Sequence, residues 1–384
     1  MNKKLAVVTT HPIQYHVPWL ISLAEKGIRA KVFYTWEQSG LGSVYDPGFG
    51  QHIRWDIPLL EGYDYEFVAN TASRPGLDHF RGIINPSLIG GIDAWKPDGL
   101  LVIGWNYYSH LQCLRHFHGS VPIYFRGDSV LLHERLGWRK VFRRVFLTWV
   151  YQHVDFALYV GSNNKSYFLR HGMKPEQLVF SPQAIDIRRF AEPNEVYARQ
   201  AKELKDMLGI PAGHLTVLFA GKMTNTKNPS FVLDLAEACA ALPVSFVLVG
   251  DGYLKEGLVK RAEGWSNVHF LSFQNQSMMP SVYRMADIFI MPSLSETWGM
   301  GINEAMACGK PVMASEMVGS ASDLVLEDKT GIVFRLNDVE RCVEFLQRLS
   351  ADRSLPGRMG ENARVHIQSF SFSHIVDSVA FVMR

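Results

Sequence analysis

The strongest constraint on the fold is an alternation of short apolar runs with longer helical patterns, which passes through the chain twice. Runs in the first half are LAVVTT, KVFYT, GLLVI, VPIYF and FALYV, beginning at residues 5, 31, 99, 121 and 156. Runs in the second half are HLTVLFAG, VSFVLVG, NVHFL, DIFIM, KPVMA and GIVF, beginning at residues 214, 244, 267, 287, 310 and 331. Near-continuous apolar strands separated by helices are typical of parallel sheets covered on both faces. We therefore predict an α/β fold of two Rossmann-like, doubly wound domains that face each other across a cleft.

The chain has 384 residues, more than one hydrophobic core ordinarily serves, so we expect a division into domains. A polar stretch around 186–213 separates the two alternating halves, and we place the boundary there. The prediction is a first domain at 1–190, a second at 191–365, and a C-terminal helix at 366–384 that packs back on the first. Between 36 and 98 the pattern favours loops with short strands.

Composition excludes several classes of protein. A net charge of +2 gives no general attraction to nucleic acid, so we expect no nucleic-acid partner. The four cysteines, which lie far apart and form no metal-ligand spacing, indicate buried thiols in a reducing compartment and no metal. The start MNKKLAVVTTHPIQYH resembles neither a signal peptide nor an anchor, and no run of about 20 apolar residues occurs. We expect a cytoplasmic protein.

The loop after DIFIM carries the densest group of candidate binding residues, in the stretch SLSETWGMGINEAMACGKPV at 293–312. Gly299 and Gly301 allow a tight turn and close approach to a ligand, and the helix that follows offers its positive end to an anion. A carboxylate such as Glu296 or Glu304 can accept hydrogen bonds from two neighbouring sugar hydroxyls. The simpler explanation is chance spacing of two acids, one of them complementing the helix dipole. The order strand, acid, glycine turn, helix and next strand favours a binding site.

Three other loops contain polar residues at predicted strand ends. Lys222 and Lys227 in GKMTNTKNP could neutralise a diphosphate, or could be two solvated surface lysines; the two interpretations are balanced. His11, Gln14 and His16 in HPIQYH could reach a phosphate or an acceptor, or be held within the core. Arg126 and Asp128 in RGDS could also reach a phosphate or an acceptor, although a buried ion pair between them would explain both residues.

The segment 135–151, RLGWRKVFRRVFLTWVY, combines five basic residues with aromatic and aliphatic ones on a predicted helix. Such a helix can lie on an anionic membrane, which would make the protein peripheral at its inner face. A domain helix with an apolar stripe on the sheet and solvated arginines is the commoner pattern, and we prefer it.

Taken together, the motifs of 215–335 resemble the donor domain of retaining family 4 glycosyltransferases, also described as glycosyl transferases group 1, of the GT-B fold. FAGKMTNTKN resembles the family's basic phosphate loop, VLVGDG its glycine turn, and MADIFIMPSLSETWGMGINEAMACGKPV its paired-glutamate signature. VGSNNKSYFLRHG and FSPQAIDIRRF resemble the end of the family's first domain more distantly.

The resemblance implies a nucleotide-sugar donor on the second domain, a glycan or lipid-linked acceptor on the first, and neither metal nor cofactor. It implies catalytic or phosphate-binding roles for Lys222, Lys227 and Glu296, and a ribose-binding role for Glu304. The donor-binding set it implies is completed by Gly221, Gly250, Phe273, Trp298, Gly299, Met300 and Gly301. The implied acceptor-side or phosphate set is His11, Gln14, His16, Arg126 and Asp128.

The implied activity is sugar transfer from a UDP- or GDP-sugar with retention of configuration, in surface polysaccharide or glycan synthesis. In that family the leaving phosphate helps to deprotonate the acceptor, so catalysis is largely positioning and charge stabilisation. Two alternatives stay open. One is a nucleotide-sugar epimerase of the same fold, which needs no acceptor, and the other is an inactive nucleotide-sugar-binding partner protein.

Overall fold

A computed structural model describes residues 3–36, 44–134 and 137–384, and divides the chain into two compact units. The first unit consists of residues 1–44, 58–183 and 372–384, and the second of residues 45–57 and 184–371. The chain therefore passes from one unit to the other more than once.

The strands of the first half of the chain are, in chain order, β1 Lys3–Thr9, β2 Ile28–Tyr34, β3 Val44–Asp46, β4 Gln51–Ile53, β5 Asp64–Phe67, β6 Gly99–Ile103, β7 Ile123–Arg126, β8 Phe156–Tyr159 and β9 Leu178–Phe180. Those of the second half are β10 Leu215–Ala220, β11 Val244–Val249, β12 Val268–Leu271, β13 Ile288–Met291, β14 Val312–Ser315 and β15 Gly331–Phe334. The first unit holds a sheet in the order β5-β2-β1-β6-β7-β8-β9, and the second a sheet in the order β12-β11-β10-β13-β14-β15. Strands β3 and β4 pair only with each other.

The α-helices are α1 Val17–Ser22, α2 Leu88–Trp95, α3 Tyr108–Phe117, α4 Trp138–Tyr151, α5 Ser162–Arg170, α6 Ile187–Ala191, α7 Glu195–Met207, α8 Pro229–Ala238, α9 Lys255–Arg261, α10 Met279–Met285, α11 Met300–Ala307, α12 Ala321–Leu324, α13 Val339–Ala351, α14 Leu355–Ile367 and α15 Phe372–Val382. Short 3₁₀ helices lie at Leu23–Lys26, Phe80–Gly82, Pro175–Gln177 and Asn225–Lys227.

Both large sheets are parallel, which explains why their strands are apolar almost without interruption. In the first unit β1 pairs in parallel with β2 and β6, and in the second β10 pairs in parallel with β11 and β13. All six residues of β11 are buried, as expected for a strand with helices on both faces. The alternation in the sequence thus encodes two separate sandwiches of helix, sheet and helix.

Each unit has its own hydrophobic core. In the first, Val8, Val102 and Phe125 from the sheet pack with Leu114 of α3 and Val150 of α4. In the second, the Phe231 ring of α8 stacks on the Phe334 ring of β15, with 5.1 Å between centroids and an interplanar angle of 8°. All four cysteines are buried free thiols, and three of them, Cys113, Cys239 and Cys342, belong to these cores.

The predicted fold class, two Rossmann-like α/β domains, is confirmed, and every predicted strand corresponds to an observed one. Two structural assignments differ from the predicted domain limits. Residues 45–57, which we expected in the first domain, belong to the second unit, and the second unit resumes at Ala184. The reason is a set of long-range hydrogen bonds. The Gln51 and Asp46 side chains and the Arg54 carbonyl of this segment bond to loops of the second sheet.

Helix α15 belongs to the first unit, where it packs against α1. Lys26 and Asp377 form an ion pair at 2.8 Å, and the Tyr124 hydroxyl donates to the Val382 carbonyl at 2.8 Å. Within the described part of the chain, no helix combines the length and the apolar character needed to cross a lipid bilayer.

Candidate functional site

The candidate site lies where the order of strands in the second sheet reverses direction. From β10 the chain proceeds outward through β11 and β12 on one side, and β13 then begins the other side. The loops that follow β10 and β13 consequently diverge from neighbouring strand ends, and such a crevice is where open α/β sheets bind ligands.

Hydrogen bonds join these two loops to each other. The backbone N–H of Leu294 donates to the Thr226 carbonyl at 2.8 Å, and the Asn228 side-chain amide donates to the Pro292 carbonyl at 3.3 Å. Asn228 itself has a φ of 52°, a left-handed conformation that asparagine tolerates and that directs the chain into α8. The loops therefore hold their side chains in a fixed mutual position.

Lys227 and Glu296 are brought together by this arrangement. The Lys227 ammonium donates to Glu296 Oε2 in a partly buried ion pair. The Glu296 backbone is held on both sides, because its N–H donates to the Met317 carbonyl at 3.3 Å and its carbonyl accepts from the Gly319 N–H at 2.9 Å. Two of the three residues predicted to be catalytic thus form one charge pair that links the loop after β10 to the loop after β13.

The glycine turn between Glu296 and α11 needs glycine for two reasons. Gly299 has a φ of 95°, and a Cβ there would lie 2.7 Å from Met291 Sδ and 3.0 Å from Val318 Cγ1. The turn lets α11 begin at Met300 with its first N–H groups at the crevice. Because the dipole of α11 adds to those donors, the helix start is suited to a phosphate.

Glu304 lies in the middle of α11 and is 4% exposed. Its Oε2 accepts a hydrogen bond from the Tyr283 hydroxyl of α10 at 2.8 Å. Tyr283 fixes the rotamer of the carboxylate that was predicted to bind a ribose. Trp298 is 3% exposed and its indole N–H donates to Asn303 Oδ1 at 2.9 Å, so its side chain serves packing and only its backbone faces the loop.

Lys222 and Phe273 lie at the ends of β10 and β12 and contact the hairpin segment, which we define as residues 45–57. Lys222 Nζ is 2.8 Å from Asp46 Oδ2, so it is not the solvated lysine of the simpler sequence interpretation. The Phe273 ring makes an edge contact with the Phe49 ring at 4.9 Å between centroids. The Phe273 N–H is bonded to Asp251 Oδ2 at 2.8 Å, which leaves its carbonyl as the backbone group for a base.

The glycines after β10 and β11 pack directly on each other. Gly250 has a φ of 137°, and a Cβ there would lie 2.0 Å from the Gly221 carbonyl oxygen. No side chain fits at Gly250, so the two loops approach through bare backbone.

The predicted first-unit residues gather at the ends of β1 and β7. The buried Arg126 guanidinium donates to the Ser181 carbonyl at 2.7 Å, to Ser181 Oγ at 2.8 Å and to the Pro182 carbonyl at 2.7 Å. Burial lowers the pKa of Arg126 to about 10, while the negative charge of Asp128 raises it. Arg126 therefore anchors the segment after β9. From the sequence we considered only a ligand contact or a buried ion pair for this residue and did not predict this structural role.

His16 and His11 have depressed pKa values. Burial, then the positive charges of Arg126 and His11, lower the pKa of His16 to about 3. Burial also lowers the pKa of His11, whose Nδ1 is 2.9 Å from Thr10 Oγ1. Both rings are therefore neutral at physiological pH and can accept or donate one hydrogen bond each. Gln14, between them in sequence, is half-buried.

Sequence reasoning missed three residues of the site. Asp251 accepts from Phe273 and Lys255, Tyr283 supports Glu304, and Asp46 reaches Lys222. Only Asp251 had a local signal, because it lies between the two glycines of GDGYL. In the ranges that the structure describes, no three His, Cys, Asp or Glu side chains cluster closely enough to hold a metal ion.

Comparison with known proteins agrees with this geometry. Residues 200–366 match the family described as glycosyl transferases group 1. The sulfoquinovosyl transferase SQD2 of Arabidopsis thaliana is 25% identical over 303 residues, which cover 75% of this chain and 57% of that protein. A D-inositol 3-phosphate glycosyltransferase of Gordonia bronchialis is 28% identical over 214 residues, covering 52% of this chain and 46% of that protein. The chain thus spans about half the length of the curated relatives it matches.

Solved structures show the same fold at low identity. Anabaena Alr3699/HepE, crystallised in complex with UDP, superposes with a TM-score of 0.72 at 18% identity, covering 99% of this chain and 98% of that chain. Sucrose-phosphate synthase from Thermosynechococcus elongatus has a TM-score of 0.72 at 19% identity, covering 98% and 97%.

These sheets and loops define a protein of the GT-B fold, built from two Rossmann-like units. Within it, residues 200–366 match the glycosyl transferases group 1 family.

Proposed function

We propose that the protein transfers a sugar from a UDP- or GDP-sugar to a saccharide or lipid-linked acceptor, with retention of configuration, in glycan synthesis. The observation that carries the proposal is the cluster of Lys227, Glu296 and the Gly299 turn at the start of α11, in the domain that matches the family. The UDP complex of Alr3699/HepE supports a donor that contains a nucleoside diphosphate. The names of the curated relatives, a sulfoquinovosyl transferase and a glycosyltransferase, support transfer of a sugar.

Different residues of the second unit would bind different parts of the donor. Amides at the start of α11 and the ammonium groups of Lys222 and Lys227 would stabilise the charge that develops on the leaving diphosphate. Glu304, oriented by Tyr283, would accept from the ribose hydroxyls, and Glu296 from those of the sugar. The Phe273 carbonyl would face the base. On this proposal catalysis is mainly positioning and electrostatic stabilisation, and needs no metal.

The test is donor turnover in the presence of an acceptor, after a thermal-shift screen of UDP-, GDP- and ADP-sugars to identify the donor. Glu296→Gln and Lys227→Ala should each lower kcat by about 10²–10³-fold, since each removes one charged contact to the reacting groups. Glu256→Gln and Lys260→Ala, exposed changes on α9 of the same unit, are the matched controls.

The products of that assay separate the alternatives. Donor converted without acceptor would indicate an epimerase, and bound nucleotide without any nucleoside diphosphate release would indicate an inactive binding protein. Normal transfer by both site variants would contradict the roles assigned to Glu296 and Lys227.

The same proposal includes a peripheral location at an anionic membrane through α4. Trp138 and Phe142 are 69% and 68% exposed, and Val141, Val145, Phe146 and Trp149 are exposed beside them. The sequence of α4 contains Arg139, Lys140, Arg143 and Arg144 and no acidic residue.

Two features of α4 favour a lipid surface over a second copy of the chain. Leu147 and Val150 pack inward, so the exposed aromatic face is additional to the stripe that holds the helix on its sheet. The charge of the helix would repel an identical helix but attract anionic headgroups. Aromatic side chains flanked by basic ones are typical of helices that lie in a membrane interface.

A further inference from the structure

The hairpin segment covers the residues to which the proposed function assigns the donor's diphosphate and base. Its strands β3 and β4 are joined by a turn in which Asp46 Oδ1 accepts from the N–H groups of Gly48 and Phe49 at 2.8 and 3.1 Å. The other oxygen of the same carboxylate, Oδ2, accepts from Lys222 Nζ. Asp46 therefore shapes the turn with one oxygen and holds the lysine with the other.

The turn packs closely around Lys222. The ammonium nitrogen lies 5.1 Å from the centroid of the Phe49 ring, and a Cβ on Gly48 would be 2.5 Å from Lys222 Cδ. The Phe49 ring in turn contacts Phe273, and the Trp55 ring lies 6.5 Å from the same phenylalanine. One short segment thus contacts both the lysine assigned to the diphosphate and the phenylalanine assigned to the base.

The charges of the site are balanced by carboxylates. Lys222 is paired with Asp46, and Lys227 is paired with Glu296. A diphosphate brings at least two negative charges, which gain little from ammonium groups that remain neutralised by acids. For the cations to serve the donor, at least one carboxylate has to leave its lysine.

Asp46 is the carboxylate that can leave at lower cost. Glu296 lies on a loop whose backbone is bonded on both sides to Met317 and Gly319. Asp46 ends a three-residue strand in a sheet of only two strands, and such small sheets are marginally stable by themselves. The turn can therefore shift while the loop of Glu296 stays in place.

We infer that Asp46 occupies the diphosphate position on Lys222 when no donor is bound, and that donor binding replaces its carboxylate with phosphate oxygens. Asp46 then lowers the affinity for the donor, because its carboxylate competes with the donor's phosphate oxygens for Lys222. This inference rests on the proposed function, because it takes Lys222 to be a ligand of the donor.

The experiment is isothermal titration of the full chain with UDP, GDP and inorganic pyrophosphate. Asp46→Asn keeps an oxygen for the turn and removes the competing charge, so binding should tighten by about two- to fivefold, the range of a partly exposed ion pair. The gain should vanish in the Lys222→Ala background, because the competitor acts only on that lysine.

Asp56→Asn is the matched control. Asp56 lies in the same segment and accepts from the Ser277 N–H at 3.2 Å, so its loss removes an equal charge without touching Lys222. The Asp56→Asn variant should bind nucleotide with the same affinity as the unaltered protein.

The outcomes separate this inference from the proposed function. Nucleotide binding that is unchanged or weaker in Asp46→Asn overturns the inference alone. Weaker binding would make Asp46 a residue that orients Lys222 toward the donor. An equal gain in Asp56→Asn, or a gain that survives in Lys222→Ala, also overturns it. An unaltered protein that binds no nucleotide overturns both.

Discussion

At the scale of single residues, the site depends on positions where the surrounding structure leaves no room for a side chain. Gly299 combines a left-handed φ with contacts to Met291 and Val318 that exclude a side chain. Gly319 is equally constrained, because a Cβ there would lie 1.9 Å from the Thr297 carbonyl oxygen. Both glycines adjoin the backbone of Glu296, so the position of that carboxylate depends on them.

We predict that Gly299→Ala lowers the free energy of unfolding by about 1–3 kcal/mol, because alanine must adopt a strained φ and displace neighbours. Denaturant unfolding followed by circular dichroism measures the change. Gly257→Ala within α9 is the control, since nothing lies near its added Cβ, and it should stabilise the protein by about 0.5–1 kcal/mol. Equal stability of Gly299→Ala and the unaltered protein would refute the tight packing around this turn.

Some residues of the site could be identified from the sequence and others could not. The glycines and acids of 293–312 stood out because their order along one loop is local information. Asp46 did not, because its partner Lys222 is 176 positions away and Asp46 itself has no distinctive neighbourhood. Arg126 was noticed, but its bonds to the Ser181 and Pro182 carbonyls depend on a chain path that no periodicity reveals.

At the scale of elements, the large sheets were predictable and the small one was not. Parallel strands such as β11 are buried on both faces, and this burial leaves an unbroken apolar run in the sequence. The hairpin of β3 and β4 has three-residue strands with polar and exposed positions, so it leaves no such pattern. Its assignment to the second unit follows from long-range bonds to Asp251, Asn275 and Ser277.

A buried histidine joins three elements of the first unit. His110 of α3 donates from Nδ1 to the Gly104 carbonyl at 2.8 Å, since a carbonyl can only accept. Its Nε2 lies 2.9 Å from Thr35 Oγ1, just after β2, and accepts from that hydroxyl when the ring is neutral. Burial lowers the pKa of His110 from 6.5 to about 4, so the ring stays neutral in the folded protein.

We predict that His110 makes the first unit sensitive to acid. Its folded pKa lies below its unfolded pKa, so its contribution is complete above pH 6.5 and is lost as the pH falls toward 4. In that window the free energy of unfolding should fall by about 1.4 kcal/mol per pH unit for this one proton.

Urea unfolding between pH 4 and 7 measures this slope, and His110→Gln should reduce it even though the variant is less stable at every pH. The exposed His118→Gln is the control and should keep the slope of the unaltered protein. A slope that His110→Gln leaves unchanged would assign the acid sensitivity to other groups.

At the scale of the whole molecule, α4 would determine where the protein acts. The sequence indicated a basic, aromatic helix, and we preferred the interpretation in which its apolar stripe packs on the sheet. The structure places Trp138, Phe142 and Val145 on the surface, which periodicity alone could not decide because two apolar stripes occupy one helix. The exposed stripe adds apolar area that only a partner surface would cover.

We predict that the protein sediments with vesicles containing anionic phospholipid, whose surface is negative like that of a cytoplasmic leaflet, and does so weakly with neutral phosphatidylcholine vesicles. Trp138→Ser combined with Phe142→Ser should reduce the bound fraction by about tenfold, because the variant lacks the two aromatic side chains that would be buried in the lipid interface. Phe381→Ser, an equally simple change at an exposed position of α15, is the control. Unchanged binding by the double variant would remove α4 from the membrane proposal.

The return of α15 to the first unit has a consequence for how the protein is made. That unit needs residues 372–384, yet the ribosome must first synthesise the whole of 184–371. At about 5–20 residues per second, the interval is on the order of 10–40 s. During this time the surface of α1 that later receives α15 stays uncovered, and the second unit is the part that can finish folding first.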